Sequence, residues 1–128
     1  MISVASAGND GQEILVYPAA FDDVMGVAST GYTDQRSWFS NYGGGVWVAA
    51  PGEAIISTYP FSTYAASWGT SFSAPFVSGG AALLLDIRPD CNQTQAASAI
   101  SNARQLGPEL GYGRLDVYEA VRALVNSR

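Results

Sequence analysis

Ser67-Trp68-Gly69-Thr70-Ser71-Phe72-Ser73-Ala74-Pro75-Phe76-Val77-Ser78-Gly79-Gly80 is the stretch whose reading decides the fold. A polar, glycine-containing turn runs directly into an apolar segment, Phe76 to Ile87. No charged residue lies between Glu53 and Asp86. An apolar run of that length reads as a helix buried on all sides, not a surface helix. Pro75 suits the first turn, where backbone N–H groups lack helical partners. Ser71 then places a hydroxyl at the N-terminal end of a buried helix. Free N–H groups and the positive end of the helix dipole favour developing negative charge there. The position suits a nucleophile, and it also suits an N-cap serine. Taken alone, the local pattern favours the cap.

Composition narrows the classes. The 128 residues make one domain or part of a larger one, and 48% are hydrophobic, enough for a real core. Only 13% are charged, well below the usual quarter of a soluble domain, so much of the surface expects to be covered. The net charge of −5 and the scatter of six basic residues, all arginine, exclude a nucleic-acid partner. The single cysteine, Cys91, rules out an internal disulfide and reads as a small buried residue beside a helix start. No apolar run reaches about 18 residues without polar interruption, so no membrane partner is expected. No signal peptide is visible, because Met1 leads straight into an apparent strand. Histidine is absent, so this chain cannot complete a mechanism that needs an imidazole base.

Outward from the opening stretch, strands come first and helices after. Ile2 to Ala7 reads as a buried strand ending in the tight turn Gly8-Asn9-Asp10-Gly11, where Asn9 is a natural turn residue. Val24 to Ser29, Val46 to Ala50 and Ala54 to Thr58 read as three more strands. Gly31 to Gly45, with Trp38, Phe39 and Tyr42, reads as a long surface connection, and Tyr59 to Trp68 as a loop. Beyond the buried helix, Arg88-Pro89-Asp90 is a break. Gln93 to Arg104 is expected to be a helix with Ala96, Ala97 and Ile100 inward. Leu106 to Gly113 reads as a loop. A third helix is expected after Asp116, whose spacing to Glu119 fits a capping box. The fold class is α/β. Its first strand has no visible predecessor to pair with.

At this point the motifs resemble a known family. Gly69-Thr70-Ser71-Phe72-Ser73-Ala74-Pro75-Phe76-Val77-Ser78-Gly79 is similar to the nucleophile signature of subtilisin-like serine proteases, the subtilase or peptidase S8 family. Ala7-Gly8-Asn9-Asp10-Gly11 resembles the family's oxyanion asparagine motif. Tyr17-Pro18-Ala19, Ser37-Trp38-Phe39-Ser40, Val48-Ala49-Ala50-Pro51-Gly52 and Ile56-Ser57-Thr58 follow in family order. Gly111-Tyr112-Gly113-Arg114-Leu115-Asp116 matches its C-terminal close, and the Ser-Thr-Tyr-Pro run at 57–60 points to the thermitase-like branch. The resemblance implies a subtilisin-like fold: the C-terminal part of a mainly parallel sheet, flanking helices, and a central buried helix after the nucleophile. Residues 1–128 would be the C-terminal half of a peptidase S8 catalytic domain.

The resemblance also implies roles. Ser71 would be the acylating nucleophile of a serine-type endopeptidase. The Asn9 side-chain amide and the Ser71 backbone N–H would be the oxyanion donors. Ala5, Ser6, Ala7 and Gly8 would line one side of the primary specificity pocket, with Asp10 at its rim, and Thr70, beside the nucleophile, would also bind substrate. Val16 stands where many relatives have glycine, which should shorten the pocket and favour small or medium apolar P1 residues. No cofactor is required. A weak structural calcium or monovalent-ion site is implied on the backbone carbonyls of Ala19, Phe21 and Val24. Gly31 falls where relatives supply its carboxylate, leaving Asp34 or Asp22 as substitutes. Phe76 replaces a common histidine that is not the catalytic one.

The family's His and Asp motifs would lie upstream, so the partners implied are a polypeptide substrate and the N-terminal half of the domain. Met1 inside a would-be central strand fits a truncated chain. Family habit implies an extracellular parent protein. A non-catalytic subtilase remnant or interaction module is the alternative. A sedolisin-type protease would explain the missing histidine, but that group places Asp where this chain has Asn9. An α/β-hydrolase fails because Gly69-Thr70-Ser71-Phe72-Ser73 lacks the second glycine of the nucleophile elbow.

Overall fold

The computed structural model describes residues 1–127. Three parallel strands form the central sheet in the order β1 (Val4–Ser6), β2 (Met25–Thr30), β3 (Val48–Pro51). Val4 stands opposite Met25, and Val27 opposite Val48. All six residues of β2 are buried, which is why Met25 to Ala28 read as an apolar run instead of an alternating one. Arg114 bridges to Ala49 on the far side of β3. The outer edge of β1 pairs with nothing among the described residues.

Three helices pack on the sheet and on each other: α1 (Thr70–Ile87), α2 (Gln93–Ile100) and α3 (Val117–Asn126). Met25, Val27, Val48 and Ala50 of the sheet meet Val77, Ala81 and Leu84 of α1. Ala96 and Ile100 of α2 and Ala120 and Leu124 of α3 close the core. Asn92 and Gln95 form a reciprocal capping box on α2, and Asp116 Oδ1 accepts from the Glu119 N–H at 3.0 Å to start α3. Cys91 is buried just before that Asn92 cap, and burial pushes its thiol up from its ordinary value.

Several expectations are corrected. The central helix begins at Thr70, so Pro75 is its sixth residue and lies inside it. Its N-cap is Gly69, with no side-chain cap bond; Ser71 is therefore not the cap. The helix is not buried on all sides. Thr70, Ser73, Val77, Gly80, Ala81 and Leu84 face the core, while Phe76, Leu83 and Ile87 are exposed, because the sheet and the other helices cover one flank only. By length and composition alone α1 could cross a membrane, yet it packs against β1, β2 and β3 as the core helix.

Tyr59 to Trp68 is not a loop. Thr63–Ser67 is a strand, β5, pairing antiparallel with β4 (Ile55–Tyr59). Its turn puts Phe61 and Ser62 at φ 66° and 58°, a left-handed bend without the glycine or asparagine that normally announces one. The second helix stops at Ile100, not Arg104. Ser101 Oγ and Asn102 Nδ2 bond to the Ser98 carbonyl at 2.6 and 3.1 Å, competing with the helical ladder. Finally, the connection from Gly31 to Gly45 is not all surface: Ser37, Phe39, Ser40 and Asn41 are buried. Their hydroxyls bond beneath β2, with Ser29 N–H donating to Ser40 Oγ at 2.9 Å and the Ser29 and Ser37 hydroxyls 2.7 Å apart.

Candidate active site

At the C-terminal ends of the parallel strands, two turns meet. The first follows β1. Ala7 N–H donates to Val27 O at 2.9 Å, the last rung of the ladder. The chain then bends at Gly8, with φ 104°, a left-handed value that a side chain resists. The second turn links β5 to α1 through Gly69.

Asn9 joins the two turns across 61 residues. Its Oδ1 accepts from the Thr70 N–H at 2.9 Å and from the Thr70 hydroxyl at 2.8 Å. A backbone N–H can only donate, so the amide is oriented with oxygen inward. Thr70 is fully buried, and its Oγ1 also accepts from the Gly8 N–H at 3.2 Å. Asn9 thereby supplies the cap that Gly69 lacks, satisfying an N-terminal N–H of α1. The Asn9 Nδ2 is left without a protein acceptor among the described residues. It lies 3.6 Å from where a Cβ on Gly69 would stand. Ser71, the second residue of α1, is exposed, as is Asn9. The Ser71 hydroxyl has no hydrogen-bond partner among the described residues.

The remaining candidates fall around this corner. Ala5 and Ser6 sit half-buried in β1 opposite Gly26 and Val27, and Ala7 is buried. Val16 is half-buried beside Gly8, its Cγ2 3.3 Å from where a Gly8 Cβ would be. Asp10 is exposed, with its Oδ2 3.1 Å from Asn41 Nδ2.

Ala19, Phe21 and Val24 lie apart from the corner. With Asp22 and residues 44–47 they line a cavity of about 160 Å³. The Phe21 carbonyl accepts from the Val24 N–H at 3.1 Å. Asp34 is committed elsewhere, 2.7 Å from Arg114 Nη1 and 3.4 Å from Arg104 Nε, which leaves Asp22 as the nearby carboxylate. A hard cation takes about six to eight oxygens, and no group of three or more His, Cys, Asp or Glu gathers among the described residues. The residues present are a thin fit for calcium. Beside Gly31 the space is filled by the Glu53 carboxylate, which accepts from Ser37 Oγ at 2.7 Å.

The sequence profile described as Peptidase_S8, the subtilase family, matches residues 1–116. The chain belongs to the subtilase family. Thermitase from Thermoactinomyces vulgaris is 42% identical over 123 residues, covering 94% of this chain and 44% of that protein. Subtilisin Savinase from Lederbergia lenta is 40% identical over 114 residues, covering 88% of this chain and 42% of that protein. A protease from Pseudoalteromonas arctica superposes with a TM-score of 0.89 at 33% identity, covering 96% of this chain and 42% of that structure. The prenylagaramide maturation protease PagA superposes with the same TM-score, 0.89, at 28% identity, over 96% of this chain and 50% of that structure. The chain spans less than half the length of the curated relatives it matches.

Within this subtilase chain, sequence reasoning missed one residue of the corner, Asn41, and one role, that of Thr70. Asn41 is 1% exposed and clamps residues 7–12 through both ends of its amide. Thr70 was expected beside the nucleophile, but its role as anchor of Asn9 was not. Neither carries a local signal: Ser40-Asn41-Tyr42-Gly43 reads as an ordinary turn. A cavity of about 400 Å³ between Trp47, Tyr112 and α2 includes neither Ser71 nor Asn9.

Proposed function

We propose that the protein to which this chain belongs is an extracellular serine endopeptidase working through an acyl-enzyme. Ser71 Oγ attacks the scissile carbonyl carbon, and its proton passes to a base. The carbonyl oxygen becomes an oxyanion that accepts from Asn9 Nδ2 and the Ser71 N–H. Collapse of the intermediate breaks the C–N bond, and the base returns the proton to the leaving amine. Water then hydrolyses the ester. The observation that carries this reading is the fixed orientation of Asn9: oxygen tied to Thr70, Nδ2 free beside Gly69 at the start of the helix that bears Ser71.

The base is not among these 128 residues, which contain no histidine. In this proposal it comes from the N-terminal half of the catalytic domain, together with the acid that orients it. That half docks on the open edge of β1 and on the exposed flank of α1, where Phe76, Leu83 and Ile87 leave apolar surface uncovered. The polypeptide substrate runs along Ala5 to Gly8, with Asp10 at the pocket rim, Val16 shortening it and Thr70 behind. The chemistry needs no cofactor. An ion held by Ala19, Phe21, Val24 and Asp22 would serve stability only.

A second reading, a non-catalytic subtilase module, is favoured by one fact: the Ser71 hydroxyl has no base within the described residues. One experiment separates the two. A fluorophosphonate probe is applied to the 128-residue chain and to the protein carrying its upstream half. Labelling of Ser71 in the longer protein alone, with turnover of P1 Ala peptides faster than P1 Phe or Lys, is expected. No labelling of the longer protein selects the non-catalytic reading. Rapid labelling of the short chain would refute the need for an external base.

A further inference from the structure

We infer that Asn41 is a positioning residue for the oxyanion donor, acting on Asn9 through the backbone on either side of it. This rests on the proposed role of Asn9. Asn41 sits in the connection between β2 and β3, and it is 1% exposed. Its Oδ1 accepts from the Asp10 N–H at 2.9 Å and from the Gln12 N–H at 3.3 Å. Its Nδ2 donates to the Ala7 carbonyl and to Asp10 Oδ2, both at 3.1 Å. Its own N–H donates to the Gly8 carbonyl at 3.0 Å. Residues 7, 8, 10 and 12 are thus each bonded to Asn41, while Asn9 is not.

The geometry leaves Asn9 as the tip of a turn that one side chain grips from inside. A Cβ on Gly8 would collide with Asn41 Nδ2, so the turn and the clamp are fitted to each other. Two neighbouring bonds, Gly11 N–H to Phe39 O at 2.8 Å and Tyr42 N–H to Gln12 O at 3.2 Å, close the seam between the two loops. Thr70 fixes the oxygen end of the Asn9 amide, and Asn41 fixes the backbone from which that amide projects. Both are needed to place Nδ2, because a displacement of about 1 Å at a catalytic group can cost about 100-fold in rate.

Four variants of the full-length protein test this: Asn9→Ala, Asn41→Ala, the double variant, and the near-isosteric Asn41→Asp. Asn41→Asp keeps the acceptor for Asp10 and Gln12 but loses both donors. Kinetics are measured well below each variant's melting midpoint and normalised to active sites. Asn41→Ala is expected to lower kcat by about 10–100-fold and to raise KM by a smaller factor, since residues 7, 8 and 10 that it grips also line the substrate pocket in this reading. Asn41→Asp, which turns an acceptor instead of a donor toward the Ala7 carbonyl and Asp10 Oδ2, should lower kcat at least as far. In the Asn9→Ala background, Asn41→Ala should add less than about threefold, the non-additivity of residues acting through one another. If Asn9→Ala does not lower kcat, the role of Asn9 is refuted. If Asn9→Ala lowers kcat but Asn41→Ala and Asn41→Asp do not, or if their effects multiply fully with it, the positioning role of Asn41 is overturned. Should Asn41→Ala not fold, Asn41→Asp carries the same comparison.

Discussion

The corner that holds Asn9 and the β4–β5 hairpin both end at Gly69, and they are stabilised in different ways. The corner ties residues 7–12 to Asn41 and Thr70 through side-chain bonds that reach up to 62 residues along the chain. Its key side chains, Thr70 and Asn41, are buried. The hairpin is a local antiparallel ladder from Ile55 opposite Ser67 to Tyr59 opposite Thr63. Its side chains stand in the open, with Ile56 and Tyr64 each 74% exposed. A backbone ladder can be made by almost any residue, whereas a buried amide with four partners can be replaced by none at equal cost. The site is therefore set where the chain tolerates change least, beside a segment that tolerates it most.

The sharpest way to break that contrast is a pair of glycines. Gly8→Ala forces a left-handed residue and drives a methyl into Asn41. It should cost about 2–4 kcal/mol in chemical or thermal unfolding, combining backbone strain with disrupted hydrogen bonds. Gly44→Ala, where a Cβ meets nothing within 4 Å, should change stability by less than about 0.5 kcal/mol. Equal losses would mean that the corner is no more constrained than the loop.

Thr70→Val probes the next level. It removes the hydroxyl between Gly8 and Asn9 while keeping the shape, at an expected cost of about 1–2 kcal/mol. Thr70→Ser should recover most of it. A valine as stable as threonine would mean that the bonds at 2.8 and 3.2 Å contribute nothing net.

The smallest effects belong to the hairpin. Ile56→Thr and Tyr64→Ser should each stay within about 0.5 kcal/mol of the native chain. Ser62→Gly, at φ 58°, should stabilise by about 0.5 kcal/mol by removing a disfavoured left-handed residue. Losses above about 1.5 kcal/mol at Ile56 or Tyr64 would show that the hairpin packs as the corner does.

Much of the fold was legible because its signals are local. The apolar runs of β2 and β3 and the Asp116 cap follow from pattern alone. The missing pieces were those where local rules are overridden. Phe61 and Ser62 turn left-handed with no turn residue to announce it. Ser101 and Asn102 end α2 early from within an alanine-rich run. The outward flank of α1 is as apolar as the inward one, so composition could not say which side is covered. At the site, Ser71 and Asn9 were found through the resemblance of their motifs, since by local physics each reads as a cap or a turn residue.

By itself, the sequence determined most of the elements and the candidate groups: an α/β chain with strands first and helices after, a serine beside a helix start, an asparagine in a turn, and no histidine. Those depend on residues near one another in the chain. Only the tertiary structure decided that Asn9 caps α1 from 61 residues away, that Ser71 itself caps nothing, and that Asn41 grips the turn that carries Asn9. The reason is physical. A hydrogen bond between distant side chains exists only once packing has brought both partners out of water and fixed their direction, and no local pattern encodes that meeting.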